Sequence, residues 1–158
     1  MKATSFYSAA YPLATSSMPG AIVLVSSMPP PRMRADRASG AVAIVDDDEW
    51  VLKSLERSVK SAGFKVRTFL SAEGFLQSGN DSNTICVILD IGLPGMSGLD
   101  LQRHLVAGHS RVPIIFVSAH DETEMRNQAL AGGAIAFLSK PVNDKALLAA
   151  VSSAVHLD

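Results

Sequence analysis

A chain of 158 residues, 47% hydrophobic and 18% charged, can bury one core of ordinary domain size, which excludes a wholly disordered protein. Its formal net charge of −1 gives no global basic field for a nucleic acid, and no apolar run approaches the roughly 18–20 residues that a membrane span needs. Charge is uneven: residues 1–40 carry four basic and one acidic side chain and residues 41–158 ten and fourteen, so the first part is +3 and the rest −4.

Residues 1–40 are rich in Ser, Ala, Pro and Met and are interrupted at Pro12, Pro19 and Pro29-Pro30-Pro31, which reads as a disordered N-terminal extension. Its one apolar patch, Ala21-Ile22-Val23-Leu24-Val25, is too short for an anchor. A thin basic n-region and the prolines weigh against a signal peptide. Met18, Met28 and Met33 leave room for a later translation start, with the extension upstream of it. A single domain over 41–158 is expected to follow.

Ala41-Val42-Ala43-Ile44-Val45 reads as a short buried strand ending in Asp46-Asp47-Asp48-Glu49. The next helix has Val51, Leu52, Leu55 and Val59 on one face and Lys53, Glu56, Arg57 and Lys60 on the other, and Gly63 stops it. Phe64 to Leu70 alternates apolar and basic residues, as in a strand less buried than its neighbours. Ser71 can cap a short helix over 72–77, with Glu73 in its first turn.

The strand Ile85–Asp90 is an unbroken apolar run up to its closing aspartate, the mark of a strand covered on both faces, and Gly92, Pro94, Gly95 and Gly98 take the chain out of the sheet directly after it. Cys86 lies within this strand. As the only cysteine it forms no internal disulfide, reads as a small buried hydrophobe, and makes a cytosolic setting the simpler expectation. Gly98 to Ala107 fits a helix with Leu99, Leu101, Leu105 and Val106 partly inward. Ile114-Ile115-Phe116-Val117 is a strand closing at Ser118, Glu122 to Ala131 a helix ended by Gly132-Gly133, and Ile135 to Leu138 a fifth strand closing at Ser139-Lys140-Pro141. Asn143 or Asp144 caps a last helix with Leu147, Val151, Ala154 and Val155 along one stripe.

Five β-α repeats with short connections predict a (βα)5 doubly wound α/β fold with a five-stranded parallel sheet. In such a sheet the carboxyl ends of all strands share one edge, where ligands bind. That edge would gather Asp46, Asp47, Asp90, Ser118 and Lys140. Close carboxylates repel, and a hard divalent cation with oxygen ligands such as Mg²⁺ is the natural remedy. Lys140 offers a point charge to an anion and Ser118 a hydrogen-bond donor, a set suited to phosphoryl transfer onto a carboxylate. Each residue has a plainer explanation: an acidic run at a helix N-terminus, an Asx-turn at Asp90, a cap at Ser118, an exposed turn at Lys140-Pro141. Their common position at strand ends favours the site. His104, His109, His120 and His156 show no ligand spacing.

The motifs Ile44-Val45-Asp46-Asp47-Asp48, Val87-Ile88-Leu89-Asp90 with Leu93-Pro94-Gly95-Met96-Ser97-Gly98, Phe116-Val117-Ser118-Ala119 and Phe137-Leu138-Ser139-Lys140-Pro141 together resemble a bacterial response-regulator receiver domain of the flavodoxin-like, CheY-like superfamily. Ser71-Ala72-Glu73-Gly74-Phe75-Leu76 and the segment from His120 to Phe137 are most similar to the FixJ-like branch. The resemblance implies that Asp90 accepts a phosphoryl group from a sensor histidine kinase or phosphotransfer protein. It also implies that Asp47, Asp90 and the Gly92 carbonyl hold Mg²⁺, with Asp46 ligating through water. Lys140 would pair with the phosphoryl oxygens, Ser118 would turn toward them, Phe137 would swing inward with it, and the bond before Pro141 would be cis. Helix four, strand five and helix five would report the change to a downstream protein or through a phosphorylation-dependent dimer. The resemblance is to a signalling protein, not an enzyme acting on external substrates. FixJ-like proteins usually carry a DNA-binding domain after the receiver; its absence from this sequence suggests a stand-alone regulator with no direct nucleic-acid contact. A phosphate sink or connector, the receiver part of a truncated DNA-binding regulator, and an aspartyl-nucleophile phosphohydrolase are the rivals. The last needs an acid where Gly92 stands.

Overall fold

The computed structural model describes residues 39–79, 83–120 and 122–157; the expectations for residues 1–38 lie outside the described residues. The strands are β1 (Ala41–Val45), β2 (Lys65–Phe69), β3 (Thr84–Asp90), β4 (Ile114–Ser118) and β5 (Ala136–Ser139). Between and after them run α1 (Glu49–Ser61), α2 (Ala72–Gln77), α3 (Gly98–Ala107), α4 (Thr123–Ala131) and α5 (Asp144–Val155). All pairings are parallel, in the order β2-β1-β3-β4-β5, the flavodoxin-like doubly wound order.

Every residue of β1 and β4 is buried, as expected of strands covered on both faces. Side chains alternate across the sheet. Val42, Ile44, Ile88 and Ile115 face α1 and α5, meeting Leu52, Leu55, Val59, Leu147 and Val151. Ala43, Val45, Leu89 and Phe116 face α2, α3 and α4, meeting Phe75, Leu101, Leu105 and Ala129. The lysine and arginine of the second strand are tolerated because β2 is an edge, paired only to β1.

Local chemistry sets the boundaries. Asp48 caps α1 by accepting from the backbone N–H of Trp50 (2.9 Å), and Ser71 caps α2 by accepting from Gly74 N–H (2.9 Å). Ser97 and Asp100 form a reciprocal capping box at α3, and Asn143 rather than Asp144 caps α5. Two expectations are corrected. Val106 is 56% exposed, not inward. Gln102 takes the inward place instead, its Nε2 donating to Ala129 O of α4 at 2.9 Å. Ser118 caps no helix: the N-cap of α4 is Glu122, which makes no side-chain cap bond.

Gly98 seats α3 directly beneath the end of β3. A Cβ there would overlap Asp90 O and stand 2.9 Å from Ile91 Cα, and neither backbone atom can yield without moving the end of β3. Gly98→Ala is expected to destabilise the fold by about 1–3 kcal/mol, the usual cost of overpacking, read as a lower urea midpoint at unchanged m-value.

Candidate functional site

The chain leaves β1 for β2 on one side, whereas β3 leads on to β4 on the other, so a crevice opens beyond the carboxyl ends of β1 and β3. Asp46 and Asp47 follow β1, Asp90 ends β3, Ser118 ends β4, and Lys140 follows β5. Register carries them to one edge, with Val45 beside Leu89, Asp90 beside Val117 and Ser118 beside Ser139.

The acidic run after β1 is divided by function. Asp48 is spent on the α1 cap, which leaves its two neighbours free of that duty. Asp46 is fully buried; its Oδ1 accepts from Asp48 N–H at 2.9 Å and its Oδ2 from Lys140 Nζ at 2.7 Å. Asp47 is exposed and makes no hydrogen bond among the described residues. One carboxylate oxygen each from Asp46, Asp47 and Asp90 lies within 4.8 Å of the others.

Asp90 is buried yet loosely held. Gly92 N–H and Lys140 Nζ both stand 3.4 Å from its Oδ1, well beyond the usual hydrogen-bond length, so the Asx-turn at Asp90 is weak. Burial, and then the charge of Asp46, push its pKa above the ordinary carboxylate value, against the pull of Lys140 and the Gly92 N–H. For Lys140, burial alone would lower the pKa. The hydrogen bond to Asp46 and the charges of Asp90 and Asp46 outweigh it and hold the ammonium above its ordinary value.

Three carboxylates against one ammonium leave two negative charges uncompensated. The facing oxygens lie within 4.8 Å of one another, a limit somewhat above the roughly 4 Å between opposite ligands of Mg²⁺, so a small inward shift, or one bridging water, would let them share one ion. The residues present therefore fit a divalent cation at the cluster of Asp46, Asp47 and Asp90, with Asp46, both of whose oxygens already accept hydrogen bonds, the one suited to act through water. Gly92 is exposed and nothing crowds it, so its backbone is accessible at the same edge.

Among the described residues, the remaining sequence-predicted side chains make no hydrogen bond to the carboxylates. Ser118 is buried, and its hydroxyl donates to His120 O at 2.7 Å and accepts from His120 N–H at 3.1 Å, closing a turn of its own. Phe137 already lies inside, 7% exposed, 6.4 Å from the Phe116 ring with the Arg126 guanidinium 5.0 Å over its face. The Lys140-Pro141 bond is cis. One contact to the loop after Asp90 had no sequence signal: Glu73 of α2 accepts from Met96 N–H, 23 residues away.

This geometry agrees with what comparison finds. A family model described as "Response regulator receiver domain" matches residues 42–152. The chain belongs to this family. Response regulator protein TodT of Pseudomonas putida is 43% identical over 126 residues, which cover 80% of this chain and 55% of TodT. Transcriptional regulatory protein FixJ of Bradyrhizobium diazoefficiens is 34% identical over 74% of this chain and 57% of its own length. The chain thus spans about half the length of the curated relatives it matches. Among solved structures, FixJ-N superposes with a TM-score of 0.69 at 36% identity, covering 75% of this chain and 96% of FixJ-N. Response regulator StyR gives 0.70 at 40%, covering 74% and 59%. Both support a receiver of the FixJ-like type with the CheY-like fold.

The raised pKa of Asp90 fixes the sign of a pH effect in the metal-free receiver. Its contribution to stability is most favourable where the acid is protonated, and is lost as pH rises from the ordinary carboxylate value through the elevated one. Asp90→Asn cannot ionise. In a chelator the variant is expected to unfold at higher urea than wild type at neutral pH, with the gap closing as pH falls below the ordinary carboxylate pKa. A gap that widens on acidification would contradict this account of Asp90.

Proposed function

We propose that this receiver is a Mg²⁺-dependent phosphoacceptor of a two-component relay, with Asp90 taking the phosphoryl group from a phosphohistidine on a sensor kinase or phosphotransfer protein. The observation that carries the proposal is the state of Asp90: buried at a strand end, with no short hydrogen bond, between two further carboxylates and an ammonium. A carboxylate so placed keeps a lone pair available for attack.

In the transfer, an Asp90 carboxylate oxygen forms the new P–O bond as the P–N bond to the donor imidazole breaks, and the imidazole leaves with the electron pair. Bound Mg²⁺ would neutralise charge on the phosphoryl oxygens, held by Asp47, Asp90 and the Gly92 carbonyl, with Asp46 reaching it through water. Lys140 stands 3.4 Å from Asp90 Oδ1 and supplies a second positive charge at the acceptor. Asp46 keeps that ammonium in place. Gly92 offers no side-chain acid two residues after the acceptor, which favours self-modification over turnover of an external substrate.

The Ser118 hydroxyl can reach the phosphoryl group only by leaving His120. That exchanges a neutral pair of hydrogen bonds for a charge-assisted one, which is roughly twice as strong as a neutral bond. The β4–α4 turn is therefore the switch, and the α4–β5–α5 surface, with Phe137 already inside, is where a downstream protein or a phosphorylation-dependent dimer would read it. This reading sets the protein in the cytoplasm, beside a kinase fed by ATP. A second reading, the receiver part of a longer DNA-binding regulator, is favoured by the greater length of the relatives named as transcriptional regulatory proteins.

With Mg²⁺ and a small phosphodonor, wild type is expected to gain the mass of one phosphoryl group and Asp90→Asn none. An adduct on both, or on neither, would overturn the assignment. Trp50 is 80% exposed in the first turn of α1, beside Lys140 and Pro141 along a groove of ≈ 250 Å³. Millimolar Mg²⁺ is expected to change its fluorescence, and Asp47→Asn to remove most of that response. A wild-type signal indifferent to Mg²⁺ would count against the metal site.

A further inference from the structure

The loop from Ile91 to Ser97 carries Gly92 and is held firmly at its ends. Ile91 N–H donates to Val117 O at 3.2 Å and Gly98 N–H to Ile91 O at 3.2 Å, while Ile91 and Leu93 are each 5% exposed in the core beneath α2 and α3. The capping box fixes Ser97. Between these anchors, Pro94 and Gly95 are exposed and Met96 is half-buried.

One side chain grips that outer arc. Glu73, from the first turn of α2, accepts from Met96 N–H at 3.0 Å. Among the described residues it is the only side chain outside β3, the loop and α3 that hydrogen bonds to the loop. Gly95 makes the approach possible in two ways. Its φ of +72° turns the following N–H toward α2, and a Cβ there would stand 2.6 Å from Glu73 Oε2. The Met96 hydrogen bond in turn favours the ionised carboxylate, holding the Glu73 pKa below its ordinary value, so the contact is charge-assisted at neutral pH.

We propose that Glu73 is a positioning residue of the phosphoacceptor site: it holds the β3–α3 loop by the Met96 amide, and so sets how firmly the acidic pocket takes a divalent cation through the Gly92 carbonyl. The role rests on the proposed reading of Asp47, Asp90 and Gly92 as the residues that hold Mg²⁺. Glu73 touches neither the ion nor the phosphoryl group. It acts on the one ligand supplied by backbone, whose direction depends on the path of the loop.

The test measures Mg²⁺ affinity by calorimetry and backbone amide exchange by NMR in wild type, Glu73→Ala, Glu73→Gln and Glu56→Ala. The last removes one acidic charge from α1, far from the loop in sequence, where Glu56 pairs with Lys60. Glu73→Ala is expected to weaken Mg²⁺ binding roughly tenfold, the lower end of what outer partners of metal sites contribute. It should also speed exchange at Met96 and Gly92 in the metal-free protein. Glu73→Gln keeps an acceptor oxygen and should restore both toward wild type, and Glu56→Ala should change neither. Equal weakening in the alanine and glutamine variants would assign the effect to charge and overturn the tether, as would unchanged affinity in Glu73→Ala. A wild type with no Mg²⁺ affinity would overturn the functional reading, and this role with it.

Discussion

Lys140 gives its short hydrogen bond to Asp46, not to Asp90, and the behaviour of the site follows from that pairing. A fully buried carboxylate needs a partner, and Asp46 has one at 2.7 Å, so the lysine is anchored without neutralising Asp90. Asp90, at 3.4 Å from the same ammonium, feels its charge but keeps its lone pairs. Were the distances reversed, Asp90 would be tied up in a salt bridge. The arrangement leaves a net deficit of positive charge, which a divalent ion would offset.

The sheet makes this possible by alternation. β1 and β3 are central, so the residues before Asp46 and Asp90 are buried on both faces and their backbones have no freedom to relax. The acids that follow inherit fixed positions where the two chain directions diverge. Around them the caps are supplied by neighbours: Asp48 takes the helix N-terminus, and Ser97 with Asp100 takes the next one. The site acids are thus relieved of structural duties that residues of their type usually perform.

Ser118 and Phe137 are held differently from one another. Ser118 is engaged with its own turn at His120, whereas Phe137 is already packed against Phe116 under Arg126. Movement of the hydroxyl therefore does not require opening a space for the ring. Gln102, buried against Ala129 O and lying where a Cβ on Gly132 would intrude, ties the end of α4 to α3, so a displacement at the start of α4 has a fixed far end to turn about.

Much of this was legible in the chain itself. Unbroken apolar runs at 41–45, 85–89 and 114–117 marked buried parallel strands, because only residues facing packed helices on both sides can be apolar without alternation. The acids, hydroxyl and lysine closing those runs marked the shared edge. Helix faces were legible where one stripe met one partner, as in α1, and misleading in α3, where a second neighbour drew Gln102 inward and left Val106 outside. Sequence determined which residues would share an edge, since parallel strands joined by β-α units all end on the same side, whereas strand order and register came from the tertiary structure. Only the tertiary structure decided what each does there: which aspartate caps and which stays free, which carboxylate holds Lys140, and that Glu73 reaches across to Met96. Those outcomes depend on distances of a few tenths of an ångström between segments far apart in the chain, and no local pattern encodes them.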